Sequence, residues 1–466
     1  MDIARLQKIE DYLWEIPQDF RGDMRVPARI FATERLPRDI ASDRSLEQLM
    51  NVAALPGIRE YALAMPDVHE GYGFPVGGVA AFGLEDGIIS PGGIGYDINC
   101  GVRLLLSGLR KEVVAAHTHN LARTIFAEVP SGTGRGGTLS LKDEELDLVL
   151  ARGAKRMAEL GYAEDDDLAH IESGGVLPGA DPAAISVHAK SRGRDQLGTI
   201  GAGNHFVEVG FVDEVFDAKM AHRMGIALGQ VTVLIHTGSR GLGHQVATDH
   251  IRAMVRAMPK YHITLPDREL ACAPFKSPEG QAYFSAMNAA GNFAWANRQL
   301  ITARVRRAWQ AVFGAGEKLS VLYDVAHNIA KIESYEIDGK VEGLLVHRKG
   351  ATRAFPGQPV LIPGSMGTAS YVLVGEKKSL ATSFGSSCHG AGRAMSRTKA
   401  RARIGAKQLR AELEAQGIAI AAGSRRGFTE EAPFAYKDID AVVSVIHDAG
   451  IASRVARLRP LAVMKG

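Results

Sequence analysis

The chain has 466 residues, 46% hydrophobic and 23% charged, with 55 basic against 52 acidic side chains for a formal net charge of +3. This is ordinary globular composition, and it excludes collagen, coiled coil and disorder. So small a surplus does not announce a nucleic-acid partner, which would instead need a local basic patch.

The length accommodates about three average domains at on the order of 150 residues each. Three cysteines, Cys100, Cys272 and Cys388, cannot frame a disulfide scaffold and point to a reducing compartment. The opening MDIARLQKIEDYLWEI lacks the apolar core of a signal peptide, and no stretch approaches the ~18 apolar residues of a membrane span. A soluble cytoplasmic protein is expected.

Apolar residues at roughly 3.6 spacing predict helices over 111–128, 146–160, 246–258 and 283–312. A further helix is predicted over about 396–416, basic at its start and ending near Gly417. The stretch 163–184, with EDDD and GGVLPGADP, reads as a loop, and about 130–190 as a possible peripheral insertion. Glycines, 52 in all, gather in EGYGFPVGG (70–78), SPGGIGYDINCG (90–101), GTIGAGNH (198–205), HTGSRGLGH (236–244), PGSMGTAS (363–370) and SSCHGAGR (386–393). They border short β-branched runs such as VTVLIH (231–236) and SVLYDVAH (320–327), which read as buried strands ending in tight loops. Strands and helices mix without strict alternation, so the expected class is α+β.

The polar residues worth weighing lie inside those loops: Asp97 and Cys100, Asn204 and His205, His236, His327 and Asn328, and His389. Imidazole, thiolate and carboxylate are the donors of a borderline divalent metal such as zinc or manganese. No pair has the HExxH or CxxC spacing that makes a metal motif by itself. On spacing alone, the histidines also read as satisfied core groups and Cys100 as a small buried hydrophobe. Glycine loops also suit phosphate cradles, but GxxxxGK[ST] is absent, as is a GxGxxG between strand and helix.

As literal strings, MPDVHEGYGFPVGG, GGIGYDINCGVR, GNHFVEV, HTGSRGLGHQV, DVAHNIAK, HRKGATRA, PGSMGTASYV, CHGAGR and the final MKG resemble the RtcB family of GTP-dependent RNA-splicing ligases. They run in family order from about residue 60 to Gly466. The resemblance implies one catalytic unit over 1–466, with mixed sheets flanked by helices and the active site in the glycine-rich loops. It implies that His389 takes GMP from GTP, with Gly390, Ala391 and Gly392 close to the phosphate and Arg393 paired with its charge. Two Mn²⁺ ions are implied: Asp97, Cys100 and His205 hold one, Cys100, His236 and His327 the other, with Cys100 bridging.

For the guanine nucleotide the resemblance points to Asn204, Phe206, Val207, Glu208, Asn328, Pro363, Gly364, Ser365, Met366, Ser370, Tyr436 and Lys465. A carboxylate such as Glu208 can accept from guanine N1–H and its amino group, which would select GTP over ATP. Asp67, His69 and Arg240 are expected to line the same cleft, Arg240 as a clamp for an RNA phosphate. Basic residues of the 393–410 stretch, Arg397, Lys399, Arg401, Arg403 and Lys407, are expected to add affinity for RNA backbone.

The implied reaction joins an RNA 3′-phosphate or 2′,3′-cyclic phosphate to a 5′-hydroxyl, in tRNA splicing or RNA repair. An archease-type activator is a further implied partner. The competing readings are a Mn²⁺- or Zn²⁺-dependent phosphodiesterase with no covalent nucleotide, and a non-enzymatic RNA-binding factor.

Overall fold

The computed structural model describes residues 5–34, 43–132, 139, 141–164, 166–337 and 339–466. Among these, the class is α+β, with two large sheets and helices packed around them. The first is seven-stranded, in the order Gln7–Glu10, Leu13–Ile16, Ala28–Phe31, Ile58–His69, Val76–Gly83, Lys340–Lys349, Asn328–Ile337. The second runs Leu319–Ala326, Gly101–Arg110, Gln230–Thr237, Phe206–Val215, Ala452–Lys465, Ser370–Gly375, Pro359–Ile362, with Ala419–Ala422 parallel to Ala452–Lys465.

Antiparallel pairing decides where the loops meet. Where neighbouring strands alternate in direction, the start of one lies beside the end of the next. In the second sheet Val102 and Phe206 both pair His236, and Lys465 pairs Phe206. One edge of that sheet therefore collects Cys100, His205, His236, His327 and Lys465, with Pro363 beyond. The first sheet does the same with His69 opposite Val76 and Asn328 opposite Lys349. His327 is the link between the sheets, since Leu319–Ala326 closes the second and Asn328–Ile337 opens an edge of the first.

The longest helix is Pro278–Phe313. Its start is capped by Ser277, whose hydroxyl accepts the Gly280 N–H at 3.1 Å, with Pro278 in the first turn. It is buried along most of its length, and Trp295, Phe293 and Ala289 join an apolar cluster with Leu146, Val149 and Leu150 of the helix Asp143–Glu159. That partner helix lies within 130–190, and its apolar face packs on the centre of the molecule.

Helix boundaries differ from the spacing at several points. The helix expected over 246–258 begins at Arg240, so the end of the glycine string 236–244 is helical rather than loop, and the one expected over 283–312 begins at Pro278. The 396–416 segment forms two helices, Arg397–Arg403 and Ala406–Ala415, because Ile404 and Gly405 are extended. Ala400, Ile404, Leu409 and Leu413 are all buried, so the apolar spacing runs on through the break and disguises it. The 111–128 segment likewise splits at Ala116–His117 into Lys111–Ala115 and Thr118–Glu128. The stretch 163–184 holds short 3₁₀ turns.

Candidate functional site

Where the edges of the two sheets converge lies a cavity of about 300 Å³. Of the residues singled out in the sequence, His69, Asp97, Cys100, Asn204, Phe206, His236, His327, Asn328, Pro363 to Met366, His389 to Arg393, Arg397, Tyr436 and Lys465 line it.

At its deep end the Cys100 sulfur lies 3.4 Å from His205 Nε2 and 3.3 Å from His236 Nε2. His236 and His327 face each other through their Nε2 atoms at 3.3 Å, and His205 Nε2 is 2.8 Å from Asp97 Oδ2. Two donor triads result, Asp97–Cys100–His205 and Cys100–His236–His327, and they share the thiol. These separations approach the donor–donor edges of roughly 3.3–3.7 Å in four-coordinate sites with bonds of about 2.0–2.3 Å.

Hydrogen bonding makes the same case for a cation. His205 Nδ1 donates to the Ile200 carbonyl at 3.1 Å, which leaves the Nε2 lone pair against the Asp97 carboxylate. Asp97 Oδ2 itself receives no hydrogen bond among the described residues, and neither His236 Nδ1 nor His327 Nδ1 has a partner. Lone pairs aimed at one another in a buried pocket are costly unless a cation sits between them. Burial, reinforced by neighbouring imidazoles, holds His236 and His327 well below the usual histidine range, in the neutral form that ligates metal. Burial pushes the Asp97 carboxyl up, but with no metal a proton on the His205 ring, together with Arg240, outweighs it and brings it down to about 2, and a metal would take that proton's place. The Cys100 thiol is pushed up by burial and by Asp97, so metal binding there must release a proton. The donor set thus fits two divalent ions around one thiolate.

His389 stands over this cluster, its ring centroid 4.8 Å from that of His327. Its Nδ1 lies 2.7 Å from Asp67 Oδ2, and the same oxygen accepts the His389 backbone N–H at 3.2 Å. Asp67 is fully buried behind the ring and contributes no surface to the cavity. It orients the imidazole rather than meeting a ligand, which corrects its expected place on the cleft wall. Gly392, at φ +72°, passes so close to Asp67 that a Cβ would meet its carbonyl oxygen at 2.0 Å. Only glycine permits that packing.

The outer end of the cavity is charged. Glu431, 1% exposed, accepts from Arg393 at 3.2 Å and Arg397 at 3.3 Å, and from the Tyr436 hydroxyl. Arg393 also lies over the Tyr436 ring at 5.1 Å. Lys465 is 2% exposed, and burial lowers its ammonium to about 8 even though Glu431 and Glu208 favour the charge. Glu208, on the neighbouring strand, is raised to about 8 by burial, with Lys465 opposing.

Other expected residues sit elsewhere. Val207 and Glu208 are buried in the sheet just behind Phe206, off the cavity wall. Ser370 braces the 363–366 loop from below, its hydroxyl accepting the Gly364 N–H at 3.1 Å. Arg240 lines an adjoining cavity of about 380 Å³ with Asp97, His205, Arg192, His244 and Arg397. Of the basic residues after Arg393, Arg401 pairs with Glu430 at 3.2 Å and Arg403 covers the Phe434 ring at 4.6 Å, while Lys399 and Lys407 are exposed.

The sequence reading missed Tyr72, Tyr96, Lys349 and Glu431 on the cavity wall. Tyr72 and Tyr96 stood near His69 and Asp97, which were chosen, and Lys349 stood in HRKG, a string matched to the family from which no residue was taken. Glu431 had no such signal, because EEAPF reads as a solvated loop. Lys349 is buried, held by the carbonyls of Tyr72, Phe74 and Gly92, and burial lowers it to about 7.

Residues 48–466 match the family model described as "tRNA-splicing ligase RtcB". Proteins named tRNA-splicing ligase RtcB from Thermococcus kodakarensis and Archaeoglobus fulgidus are 53% and 52% identical to this chain, aligned over 100% and 99% of both partners. The one from Pyrobaculum aerophilum is 49% identical over 99% of each. With the motif strings, the fold and the cluster of Asp, Cys and His in agreement, the chain belongs to the RtcB family of tRNA-splicing ligases.

Proposed function

We propose that this chain, as one catalytic unit in the cytoplasm, joins RNA 3′-phosphate or 2′,3′-cyclic phosphate ends to 5′-hydroxyl ends, using GTP and Mn²⁺, in tRNA splicing or RNA repair. The observation that carries the reading is the pair His389–Asp67 at 2.7 Å, set over two metal-competent triads that share Cys100.

His389 Nδ1–H donates to Asp67, so the Nε2 lone pair is the one available for attack. Nε2 attacks the α-phosphorus of GTP, the bond to the bridging oxygen breaks, and pyrophosphate leaves. Asp67 stabilises the positive charge the ring gains in that step, as the carboxylate does in a hydrolase triad. An RNA 3′-phosphate oxygen then displaces the imidazole from the guanylate, regenerating His389. In the last step the 5′-hydroxyl attacks the RNA 3′-phosphorus and GMP departs. A cyclic end is first opened by water to the 3′-phosphate.

Asp97, Cys100, His205, His236 and His327 would hold the two Mn²⁺ ions, which supply Lewis-acid charge to the phosphates being transferred. The glycines at 390 and 392 let backbone approach a phosphate, and Arg393, Arg397 and Lys465 supply counter-charge at the outer end. Phe206 and Tyr436 offer faces to the base, and Glu208, two residues along the strand from Phe206, is the carboxylate proposed to read its donors. Arg240, Arg192 and Arg397 in the adjoining cavity suit the backbone of the incoming strand. Three unpaired, buried cysteines agree with a reducing compartment.

The test is a joining reaction with one RNA bearing a 2′,3′-cyclic phosphate and another bearing a 5′-hydroxyl. Joined product that requires both Mn²⁺ and GTP is expected. Cyclic-phosphate opening that proceeds without GTP and yields no joined RNA would turn the reading to a phosphodiesterase.

A further inference from the structure

We propose that Asn297 and Arg298, two successive residues of the buried helix Pro278–Phe313, are the positioning residues that assemble the metal site. The proposal rests on the metal reading above and concerns how this chain holds its five donors in register before any ion arrives.

The donors come from four separate segments: Asp97 and Cys100 from one loop, His205 from another, His236 from a strand end, and His327 from the link between sheets. Such segments need a common support. Arg298 is fully buried, and its Nη1 donates to the Asn99 carbonyl at 2.8 Å and to the Thr237 carbonyl at 2.9 Å. Its Nη2 donates to Asn99 Oδ1 at 3.0 Å and to Asp324 Oδ1 at 2.9 Å, while Nε reaches Asp324 Oδ2 at 2.9 Å. One guanidinium therefore ties the loop between Asp97 and Cys100 to the residue after His236 and to the strand that delivers His327.

Asn297 completes the set. It is fully buried, and its Oδ1 accepts the N–H groups of Gly198 and Thr199 at 2.6 and 3.1 Å. Its Nδ2 donates to the carbonyls of Thr199 and Gly238, both at 3.2 Å. This links the loop leading to His205 with the turn after His236. Between them, the two side chains touch all four donor-bearing segments.

The loop so held is strained. Asn99 sits at φ +52°, a left-handed conformation costly for most residues, and its side chain is spent on Arg298 and on the Gly291 carbonyl at 2.7 Å. The backbone interlocks as well: His327 N–H donates to the Cys100 carbonyl at 2.8 Å, and Asn99 N–H to the Asn328 carbonyl at 2.7 Å. Asp324 pairs with this guanidinium and also with that of Arg103 at 2.8 Å, so one buried carboxylate anchors two buried cations behind the site.

Simple loss of a buried hydrogen-bonding residue must be separated from loss of positioning. Asn292, on the same helix, is equally buried and donates to the carbonyls of Leu150 and Ala151 while accepting from Leu177 N–H, none of which borders a donor. It is the control.

The experiment is titration of Mn²⁺ into metal-stripped protein, followed by the signal of the free ion, with thermal unfolding of the metal-free proteins alongside. Asn297→Ala and Arg298→Lys are expected to bind Mn²⁺ about 10- to 100-fold more weakly than wild type, the usual effect of losing a group that orients ligands. Asn292→Ala should lose comparable thermal stability and keep wild-type affinity. Equal Mn²⁺ affinity in Asn297→Ala, Asn292→Ala and wild type would overturn the proposal. If one positioning variant fails to fold, the other decides. Absence of stoichiometric Mn²⁺ on the wild type would overturn the metal reading itself.

Discussion

The two ends of the cavity are built on opposite principles. At the deep end, neutral imidazoles and a buried thiol are locked by backbone bonds and by a helix that touches every donor-bearing segment. At the outer end, Arg393, Arg397, Glu431 and Lys465 are ionisable groups set close together in loops and at a strand end, the arginines partly exposed and Glu431 and Lys465 buried, with Glu208 off the wall on the strand paired to that of Lys465. Preorganisation suits the deep end, where donor positions must not shift as charge is transferred. On the proposed function, closely set charges suit the outer end, which would accept a charged nucleotide and then release it.

The largest break in the contrast should come from the deep end. Cys100→Ala removes the one atom common to both triads, so both ions should be lost and joining should fall below detection. Metal content by elemental analysis checks the first, and an RNA joining assay the second. A variant that kept one ion at full affinity would show that the thiolate does not bridge.

Next comes Asp67→Asn. The amide oxygen can still accept from the ring and backbone N–H groups that share Oδ2, but it carries no charge to stabilise the imidazolium formed as Nε2 attacks. Guanylylation should slow by about 10²–10⁴-fold, the range seen when the acid behind a catalytic histidine is lost. Metal binding should stay intact.

At the outer end, Glu208→Gln should separate stability from function. The folded carboxyl titrates at about 8 instead of its usual 4.5. A raised folded value means the folded state holds a proton that the unfolded chain has lost. Stability from this group is therefore full below about pH 4.5 and declines as pH rises towards 8. Relative to wild type, the glutamine variant should gain melting temperature progressively over that window and match it near pH 4. Assayed above pH 8, where the Glu208 carboxylate is charged, GTP affinity should fall about 10- to 100-fold, as loss of charge-assisted hydrogen bonds worth about 1.5–3 kcal/mol implies.

The smallest effect belongs to the basic stretch. Arg401 is 30% exposed and already paired with Glu430, so Arg401→Glu should weaken RNA binding modestly and reduce the slope of log affinity against log salt by about one. Unchanged affinity would remove that residue from the RNA surface.

How much of this was legible in the sequence follows the same division. The deep end was readable because its donors are rare residue types in glycine loops, and the family strings named them in order. The support beneath was not. Asn297 and Arg298 lie mid-helix in AWANRQL, where polar residues look like a solvated face until the helix is seen to be buried all round. Asp67 was noticed for the wrong reason, since only the fold shows that it stands behind His389. The strand ends were clear from glycine placement, whereas the helix breaks at His117 and Ile404–Gly405 were masked by apolar spacing that carries on across them. Glu431 owes its place to a buried approach of loops far apart in the chain, and no local pattern encodes that.

The proposed reaction turns on His389 carrying the nucleotide. The most direct measurement is peptide mass mapping of the protein after incubation with Mn²⁺ and GTP, kept at alkaline pH to preserve a phosphoramidate. The account predicts a single guanylate on the peptide containing His389, lost in His389→Ala and discharged when RNA with a 3′-phosphate is added. A metal-loaded protein that carries no guanylate, or carries it on another residue, would contradict it.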